Sequence, residues 1–140
     1  MIEELEVMLD EGAIAPTRAH KTDAGLDLYS REKVTIWPNG RVKLNTGVHV
    51  RIPEGYVGEM EPKSGLMAKF GILCAGTVDA GYTGPIHAVL FNLSGKVVDI
   101  AEGQKIAQLV IYPIETPKVK IVDALPQTER GDGGFGSTGE

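Results

Sequence analysis

The chain has 140 residues, a length typical of one domain with its own hydrophobic core. Apolar residues make up 42% and charged residues 24%, and the formal net charge of −5 argues against a broad basic surface for nucleic acid. The single cysteine, Cys74, excludes an internal disulfide and a cysteine-based zinc cage. The sequence has neither an apolar run of about 18 residues nor a signal-peptide pattern, so we expect a soluble, cytoplasmic protein that binds no membrane.

Short segments of alternating polarity, separated by Gly, Pro and Asn, predict strands along most of the chain. The first segment, MIEELEVMLD, fits a strand or a short helix, and we favour the strand. SGLMAKFGI has the composition of a single short helix. The spacing of the segments, roughly 8–12 residues, predicts an all-β sandwich or barrel with at most one short helix. The later predicted strands are KVTIW, RVKLNTGVHVRI, YVGEMEP, PIHAVLFNL, KVVDIAEG, KIAQLVIYP and KVKIVDAL.

The hydrophobic pattern stops after Pro126, which predicts a body of residues 1–126 and a flexible tail of residues 127–140. The last eleven residues, RGDGGFGSTGE, contain five glycines and one large side chain, Phe135. Little in this segment offsets the backbone entropy that glycine loses on ordering.

The same tail contains Gly131-x-Gly133-x-x-Gly136, which matches the glycine pattern of dinucleotide-binding proteins. That motif requires a strand before it and a helix after it. The chain ends here instead, so we do not interpret the pattern as a dinucleotide site.

Two stretches combine charged residues with turn residues. In KTDAGLDLYS, Asp27 could hold the waters of a magnesium ion, although a loop that enters a strand explains the pattern without a ligand. In EPKSGLMAKFGI, Ser64, Gly65 and Leu66 would open a helical turn whose free N–H groups suit a phosphate, with Lys63 beside it. An N-capping serine with a solvated lysine is an equally good interpretation.

AGTVDAGYTGPI predicts a β-hairpin that runs out over Gly76–Asp79 and returns from Gly84, with Asp79 and Tyr82 at its tip. Strands that part at the base would leave backbone groups free to bind a base edge. A plain turn is the alternative. In GQKIAQLVIYP we expect Ile106 and Leu109 in the core and Gln108 at the centre of the strand.

Taken in order, five stretches resemble the five motifs of the trimeric dUTPases: AGLDLYS, PKSGLMAKFGI, GTVDAGYTGPI, GQKIAQLVIYP and RGDGGFGSTGE. The resemblance runs from about Pro16 to the end of the chain. It implies a distorted β jelly roll that assembles as a homotrimer with active sites shared between subunits. Each site would take Asp79 from one subunit, Asp27, Ser64 and Gln108 from a second, and the tail from a third.

The resemblance also implies an activity, the hydrolysis of dUTP to dUMP and pyrophosphate, which keeps uracil out of DNA and supplies dUMP for dTMP synthesis. Asp79 would activate the water that attacks the α-phosphorus. The cofactor would be Mg²⁺, bound mainly by the triphosphate and by Asp27 through water. The substrate-binding residues implied in this way are Lys63, Ser64, Gly65, Gly76, Thr77, Val78, Tyr82, His87, Gln108, Arg130, Phe135, Gly136, Ser137 and Thr138.

Within that set, the resemblance assigns Tyr82 to the deoxyribose, where it leaves no room for a 2′-hydroxyl. The backbone around Gly76 and His87 would pair with uracil. The tail would fold over the bound nucleotide as a lid, with Phe135 stacked on the base. Arg130, Ser137 and Thr138 would meet the γ-phosphate.

Four positions depart from the family pattern. Thr83 stands where the third motif usually has Arg or Gln, and Pro85 stands where it usually has an acidic or polar residue. Lys63 stands where the family usually has arginine, which keeps the charge and loses the planar fork that binds phosphate in two places. Leu73 stands where many bacterial relatives have an asparagine that binds uracil, so we expect recognition by the main chain.

Three other functions remain as alternatives. A dCTP deaminase needs a glutamate near the base, which the predicted hairpin lacks. A nucleotide sensor without activity would have a damaged Asp79 or tail, and both are intact. A β-sandwich without a ligand would leave the five matching stretches to coincidence.

Overall fold

A computed structural model describes residues 1–139, so of the predicted tail only Glu140 lies outside the described residues. The described chain forms eleven strands and one helix of seven residues, which confirms the all-β class with one short helix. That helix is too short to cross a membrane. The elements are β1 (Glu6–Leu9), β2 (Gly25–Tyr29), β3 (Val34–Ile36), β4 (Arg41–Asn45), β5 (Val48–Arg51), β6 (Tyr56–Pro62), α1 (Ser64–Phe70), β7 (Ile72–Cys74), β8 (Gly76–Val78), β9 (His87–Asn92), β10 (Val98–Ile100) and β11 (Lys105–Pro113).

All strand pairings described are antiparallel, and they form two larger sheets and two strand pairs. The larger sheets have the strand orders β2-β11-β6-β8 and β4-β9-β7, and the pairs are β1-β5 and β3-β10. Strand β11 is central because it pairs with both β2 and β6. Its register with β2 shifts between Lys105 and Ala107, a bulge that brings both Ile106 and Ala107 into the core.

The apolar core lies between these sheets. Leu28, Leu90 and Ile100 are completely buried, and Ile106 and Leu109 are each 1% exposed, as expected from the sequence. Alternation explains most of this burial, since successive side chains point to opposite faces of a sheet, and the bulge in β11 accounts for Ile106.

The segment predicted as one strand, RVKLNTGVHVRI, is two strands in the structure. Strand β4 ends at Asn45 and β5 begins at Val48. Between them Gly47 has a φ of +68°, a left-handed conformation that other residues rarely adopt. Thr46 donates its hydroxyl to the carbonyl of Ile86 at 2.7 Å, which fixes the break against the segment before β9.

The prediction that AGTVDAGYTGPI forms a β-hairpin is wrong, because its two strands do not pair with each other. Strand β8 pairs with β6, whereas β9 pairs with β4 and β7. The two strands therefore belong to different sheets and part completely. The turn between them was recognisable from its sequence, but the choice of strand partner depends on the whole sandwich.

The predicted strand KVKIVDAL is also wrong. The last strand ends at Pro113, and the described residues after it form none. Val119, Ile121 and Leu125 alternate as in a strand, yet they are 87%, 88% and 80% exposed. A strand needs a hydrogen-bonded partner strand, and in the described chain this segment pairs with none.

Candidate functional site

Asp27 is a buried carboxylate between two lysines. It lies on β2, is 4% exposed, and faces Lys63 Nζ at 2.5 Å through Oδ1 and Lys105 Nζ at 3.1 Å through Oδ2. Burial raises the pKa of Asp27, but the hydrogen bonds and charges of both lysines outweigh it and hold the pKa below its usual value. The hydrogen bond to Asp27 in turn raises the pKa of Lys105. The site therefore contains an ionised carboxylate with two cations fixed against it.

The start of α1 lies next to this cluster. Lys63 occupies the N-cap position without a side-chain cap, and Ser64 is the first helical residue, so the interpretation of Ser64 as the N-cap is wrong. The first helical hydrogen bond runs from the N–H of Met67 to the carbonyl of Lys63 at 2.9 Å. The N–H groups that precede Met67 are not donors in the hydrogen-bond pattern of the helix, as at any helix start. No atom lies within 4 Å of a Cβ built on Gly65, so the space beside this turn is open.

Gln108 connects β11 to the chain that leads into α1. Its amide Nε2 donates to the carbonyl of Pro62 at 3.1 Å, and its position pairs with Asp27 across the sheet. A Cβ on Gly25 would overlap the Gln108 amide, so this glycine is required for the close approach. Gln108 thus holds β2, β11 and the start of α1 in one arrangement.

The second group of predicted residues lies on β8 and the loop of residues 79–86. Gly76 and Thr77 are exposed, whereas the side chain of Val78 is buried and leaves only its backbone available to a ligand. The side chain of Asp79 is exposed and makes no hydrogen bond with the described residues. This carboxylate is therefore free to accept a proton.

Internal hydrogen bonds shape the loop of residues 79–86. The N–H of Tyr82 donates to the carbonyl of Asp79 at 3.1 Å, and the Tyr82 hydroxyl donates to the carbonyl of Pro85 at 2.8 Å. His87 Nδ1 also lies 3.1 Å from the Pro85 carbonyl. The ring of Tyr82 passes so close to Gly84 that a Cβ there would lie 2.6 Å from the tyrosine oxygen. The loop thus places Tyr82 beside Asp79 and leaves the ring half exposed.

The third group lies in the tail. Arg130 Nε donates to the carbonyl of Gly133 at 2.8 Å, and Arg130, Ser137 and Thr138 line one shallow depression. The ring of Phe135 is fully exposed. Every hydrogen bond of the described residues 128–139 stays within that segment. The three residues predicted to meet a phosphate are therefore together, but the tail does not contact the body through a hydrogen bond.

Each group is assembled within the chain, but the groups are not joined to one another. Among residues 1–139, no hydrogen bond or ion pair connects the Asp27 cluster, the Asp79 loop and the tail. Sequence reasoning missed two titratable residues near them. Lys105 lies inside the quoted GQKIAQLVIYP, but only the pairing of β11 with β2 shows that it reaches Asp27. His49 lies on β5 and contacts the loop of residues 79–86.

The described residues form no metal cage of their own. No group of three or more His, Cys, Asp or Glu side chains among residues 1–139 could hold a metal ion. Asp27, the predicted magnesium contact, already faces two ammonium groups. The donor set therefore fits Mg²⁺ only when a polyphosphate supplies most of its oxygen ligands and Asp27 acts through water.

Cys74 does not qualify as a nucleophile. It is buried, and burial raises the pKa of its thiol to about 11, so it stays protonated near neutral pH.

Comparison with solved structures places the chain in a class of β-rich nucleotide hydrolases. The dUTPase of Staphylococcus bacteriophage 80alpha with dUpNHpp has a TM-score of 0.89 and 35% identity, over 99% of this chain and 100% of that chain. A variant dUTPase from phage phi11 of S. aureus, described with a structural Mg(II) ion, has a TM-score of 0.81 and 36% identity, over 89% of this chain and 99% of that chain.

Sequence comparison identifies the family. The dUTPase family profile matches residues 11–139. The deoxyuridine 5′-triphosphate nucleotidohydrolase of Clostridium novyi is 44% identical, over 93% of this chain and 94% of that protein. The protein of the same name from Paramecium bursaria Chlorella virus 1 is 42% identical, over 94% of each. The chain belongs to the dUTPase family, whose members hydrolyse dUTP.

Proposed function

We propose that this protein hydrolyses dUTP to dUMP and pyrophosphate with Asp79 as the catalytic base, and so keeps uracil out of DNA and supplies dUMP for dTMP synthesis. The observation that carries this mechanism is the exposed Asp79 carboxylate directly after β8, without a hydrogen-bond partner among the described residues. The similar phage dUTPase was solved with dUpNHpp, a nucleotide of the required class.

In the proposed reaction Asp79 takes a proton from a water molecule as its oxygen attacks the α-phosphorus in line with the leaving group. The bond from the α-phosphorus to the bridging oxygen breaks, and pyrophosphate leaves. A positioned carboxylate serves as a general base for such a step. Asp27 would hold Mg²⁺ through water, and the ion would neutralise the charge that develops on the triphosphate oxygens.

Uracil recognition uses the gap between the two sheets. Strand β8 is an edge strand that pairs only with β6 among the described strands. Strand β7 covers β9 only from Leu90 to Asn92, so the side of β9 next to His87 is also open. Backbone groups at Gly76 and His87 can therefore bind the edge of a uracil, while Tyr82 packs against the deoxyribose.

Phosphate binding uses the cations near α1 and those of the tail. Lys63 is held by Asp27 beside the first N–H groups of α1, where Ser64 and Gly65 border open space. Arg130, Ser137 and Thr138 already line one depression and supply a second set of donors. When the tail closes over the nucleotide, Phe135 stacks on the base, a contact worth about 1–3 kcal/mol.

A homotrimer with shared sites supplies the contacts that one chain lacks. The three groups of site residues are not joined by hydrogen bonds among residues 1–139, so one chain does not assemble them through such contacts. Residues 114–126, which we call the arm, also expose Val119, Ile121 and Leu125 without covering them. An exposed apolar segment of this kind is typical of a surface that a partner buries. We place a second copy of the chain against the arm.

The activity is tested by pyrophosphate release from dUTP, dCTP, dTTP and UTP under the same conditions. We expect dUTP to be turned over at least about tenfold faster, since a 5-methyl group or a 2′-hydroxyl would clash and cytosine has a donor where uracil has an acceptor. Ammonia release from dCTP would instead show a deaminase. Tight binding of dUTP without turnover would show a nucleotide sensor.

Replacing Gly84 with alanine should displace Tyr82 and lower kcat/KM for dUTP by about tenfold to a hundredfold, because small errors in substrate position are costly. The new Cβ would lie 2.6 Å from the tyrosine oxygen. Steady-state kinetics measures the change. Gly95→Ala is the matched control, because no atom lies within 4 Å of a Cβ at Gly95. Equal kinetics in the two variants would contradict the assigned position of Tyr82.

A further inference from the structure

His49 bridges the N-terminal strand and the loop of residues 79–86. Its side chain is 14% exposed. Nδ1 lies 2.7 Å from the carbonyl oxygen of Thr83, and Nε2 lies 2.9 Å from Oδ1 of Asp10. Asp10 directly follows β1, and Thr83 directly follows Tyr82. One imidazole thus joins two segments that are otherwise far apart in the chain.

When Asp10 is ionised, both partners of His49 can act only as hydrogen-bond acceptors. A neutral imidazole has one N–H, so it can donate to Thr83 or to Asp10 but not to both. The imidazolium form has two N–H groups and satisfies both acceptors. The hydrogen bond to the Thr83 carbonyl, followed by the one to Asp10, accordingly raises the pKa of His49 above its ordinary value.

The other charged groups near His49 do not bond to it. Glu6 on β1 and Arg51 on β5 line the same depression and pair with each other at 3.4 Å, and both are exposed to solvent. The titratable groups of the loop, Asp79 and Tyr82, make no hydrogen bond to the imidazole. Asp10 is therefore the one charge in direct contact with it among the described residues.

The bond from His49 lies where the loop makes few other hydrogen bonds to the body, although Ala80 packs against the core. Ile86, at the end of the loop, donates its N–H to the carbonyl of Val48 at 2.8 Å. Between Ala80 and Gly84, the hydrogen bond to His49 is the one that ties the described loop to the body, since the bond of Tyr82 N–H to Asp79 is internal to the loop.

We propose that His49 is a positioning residue whose imidazolium fastens the loop of residues 79–86 to the body, so that dUTP turnover weakens when this imidazolium loses its proton. The inference rests on the function proposed above for Asp79 and Tyr82. A group whose pKa is raised by folding contributes fully below its ordinary value of about 6.5, and the contribution is lost as the pH rises through the raised value. We therefore expect the decline in dUTP turnover on the alkaline side of the pH profile.

The first test is the pH profile of kcat/KM for dUTP, from about pH 6 to about pH 9.5. In the wild type we expect a decline of about threefold to tenfold through the pKa of His49, the range that one net hydrogen bond confers. His49→Gln should remove this step and keep the lower value throughout. Asp10→Asn should move the step to lower pH, because the variant lacks the carboxylate that favours the imidazolium form of His49. His20→Gln is the control, since His20 is 80% exposed and lies outside this cluster.

The second test follows His49 itself by nuclear magnetic resonance in the free protein. The imidazole should titrate above the ordinary histidine range, and the amide signals of Thr83 and Gly84 should move with the same midpoint. Asp10→Asn should lower both midpoints together. These measurements need no substrate, so they decide whether the imidazolium fastens the loop even if dUTP is not turned over, and even if His49→Gln does not fold.

Two results would overturn the proposal. One is a pH profile that Asp10→Asn and His49→Gln leave unchanged in a protein that hydrolyses dUTP. The other is an imidazole that titrates without any change in the loop amides. Absence of dUTP turnover in the wild type would contradict the proposed function instead.

Discussion

Replacing Asp79 with asparagine should lower kcat for dUTP by about 10²–10⁴-fold, the loss expected when a general base is removed. Asparagine keeps the size and the turn preference of aspartate, but it cannot take the proton of the attacking water. Because the side chain of Asp79 is exposed and makes no hydrogen bond with the described residues, its replacement should leave the unfolding temperature unchanged. Single-turnover kinetics, with dUpNHpp binding measured in parallel, separates loss of chemistry from loss of binding.

A matched control is Asp99→Asn, which removes an exposed carboxylate from β10 outside the three groups of site residues. It should hydrolyse dUTP at the wild-type rate. An Asp79→Asn protein with near-normal kcat would rule out Asp79 as the base.

Deletion of residues 128–140 should lower kcat by about 10³-fold or more, because Arg130 at the γ-phosphate would stabilise charge on the leaving pyrophosphate, and an arginine that stabilises transition-state charge is commonly worth that much. The loss should exceed that of Phe135→Ala, since Arg130 and two hydroxyl groups leave together with the ring. The fold should be unaffected, because the hydrogen bonds of the described residues 128–139 stay within that segment. Activity and unfolding temperature, measured on the same preparation, check both expectations.

Mixing the two inactive chains tests whether the sites are shared. Co-expression of Asp79→Asn chains with tail-deleted chains should restore activity at about one quarter of the sites. In a random trimer, half of the sites take Asp79 from a tail-deleted chain, and half of those take the tail from an Asp79→Asn chain. The control pairs Asp79→Asn chains with chains that carry both changes, and it should stay inactive. A mixture without activity would mean that the tail closes on its own subunit.

The assembly itself is measured by light scattering on the wild type and on both variants. A homotrimer has a mass of about 45 kDa, three times the 15.0 kDa of the chain. A fully active monomer would contradict the shared site.

Local sequence patterns predicted the elements whose identity depends on near neighbours. Strand β11 follows the alternation of KIAQLVIYP, and α1 begins at Ser64 within the segment predicted as helical. Leu109 is in the core because alternation along β11 puts it on the same face as Ala107, whereas Ile106 is there because of the bulge beside it. In these cases the residue types near a position determine its structure.

Strand partners could not be predicted in the same way, because they depend on residues far apart in the chain. AGTVDAGYTGPI has good turn chemistry, but β8 and β9 join different sheets. Lys105 reaches Asp27 only because β11 pairs with β2, and His49 reaches Thr83 across 34 residues of sequence. No local pattern marks either contact.

If chains associate through the exposed arm, as proposed, the stability of the protein depends on the chain concentration. In the proposed trimer, Val119, Ile121 and Leu125 are covered only when chains associate, so association contributes to the free energy of unfolding. The midpoint of thermal unfolding then rises with protein concentration, whereas that of an isolated domain does not. Unfolding temperatures of variants, including those with changes at Asp79 or His49, are comparable only at one fixed chain concentration.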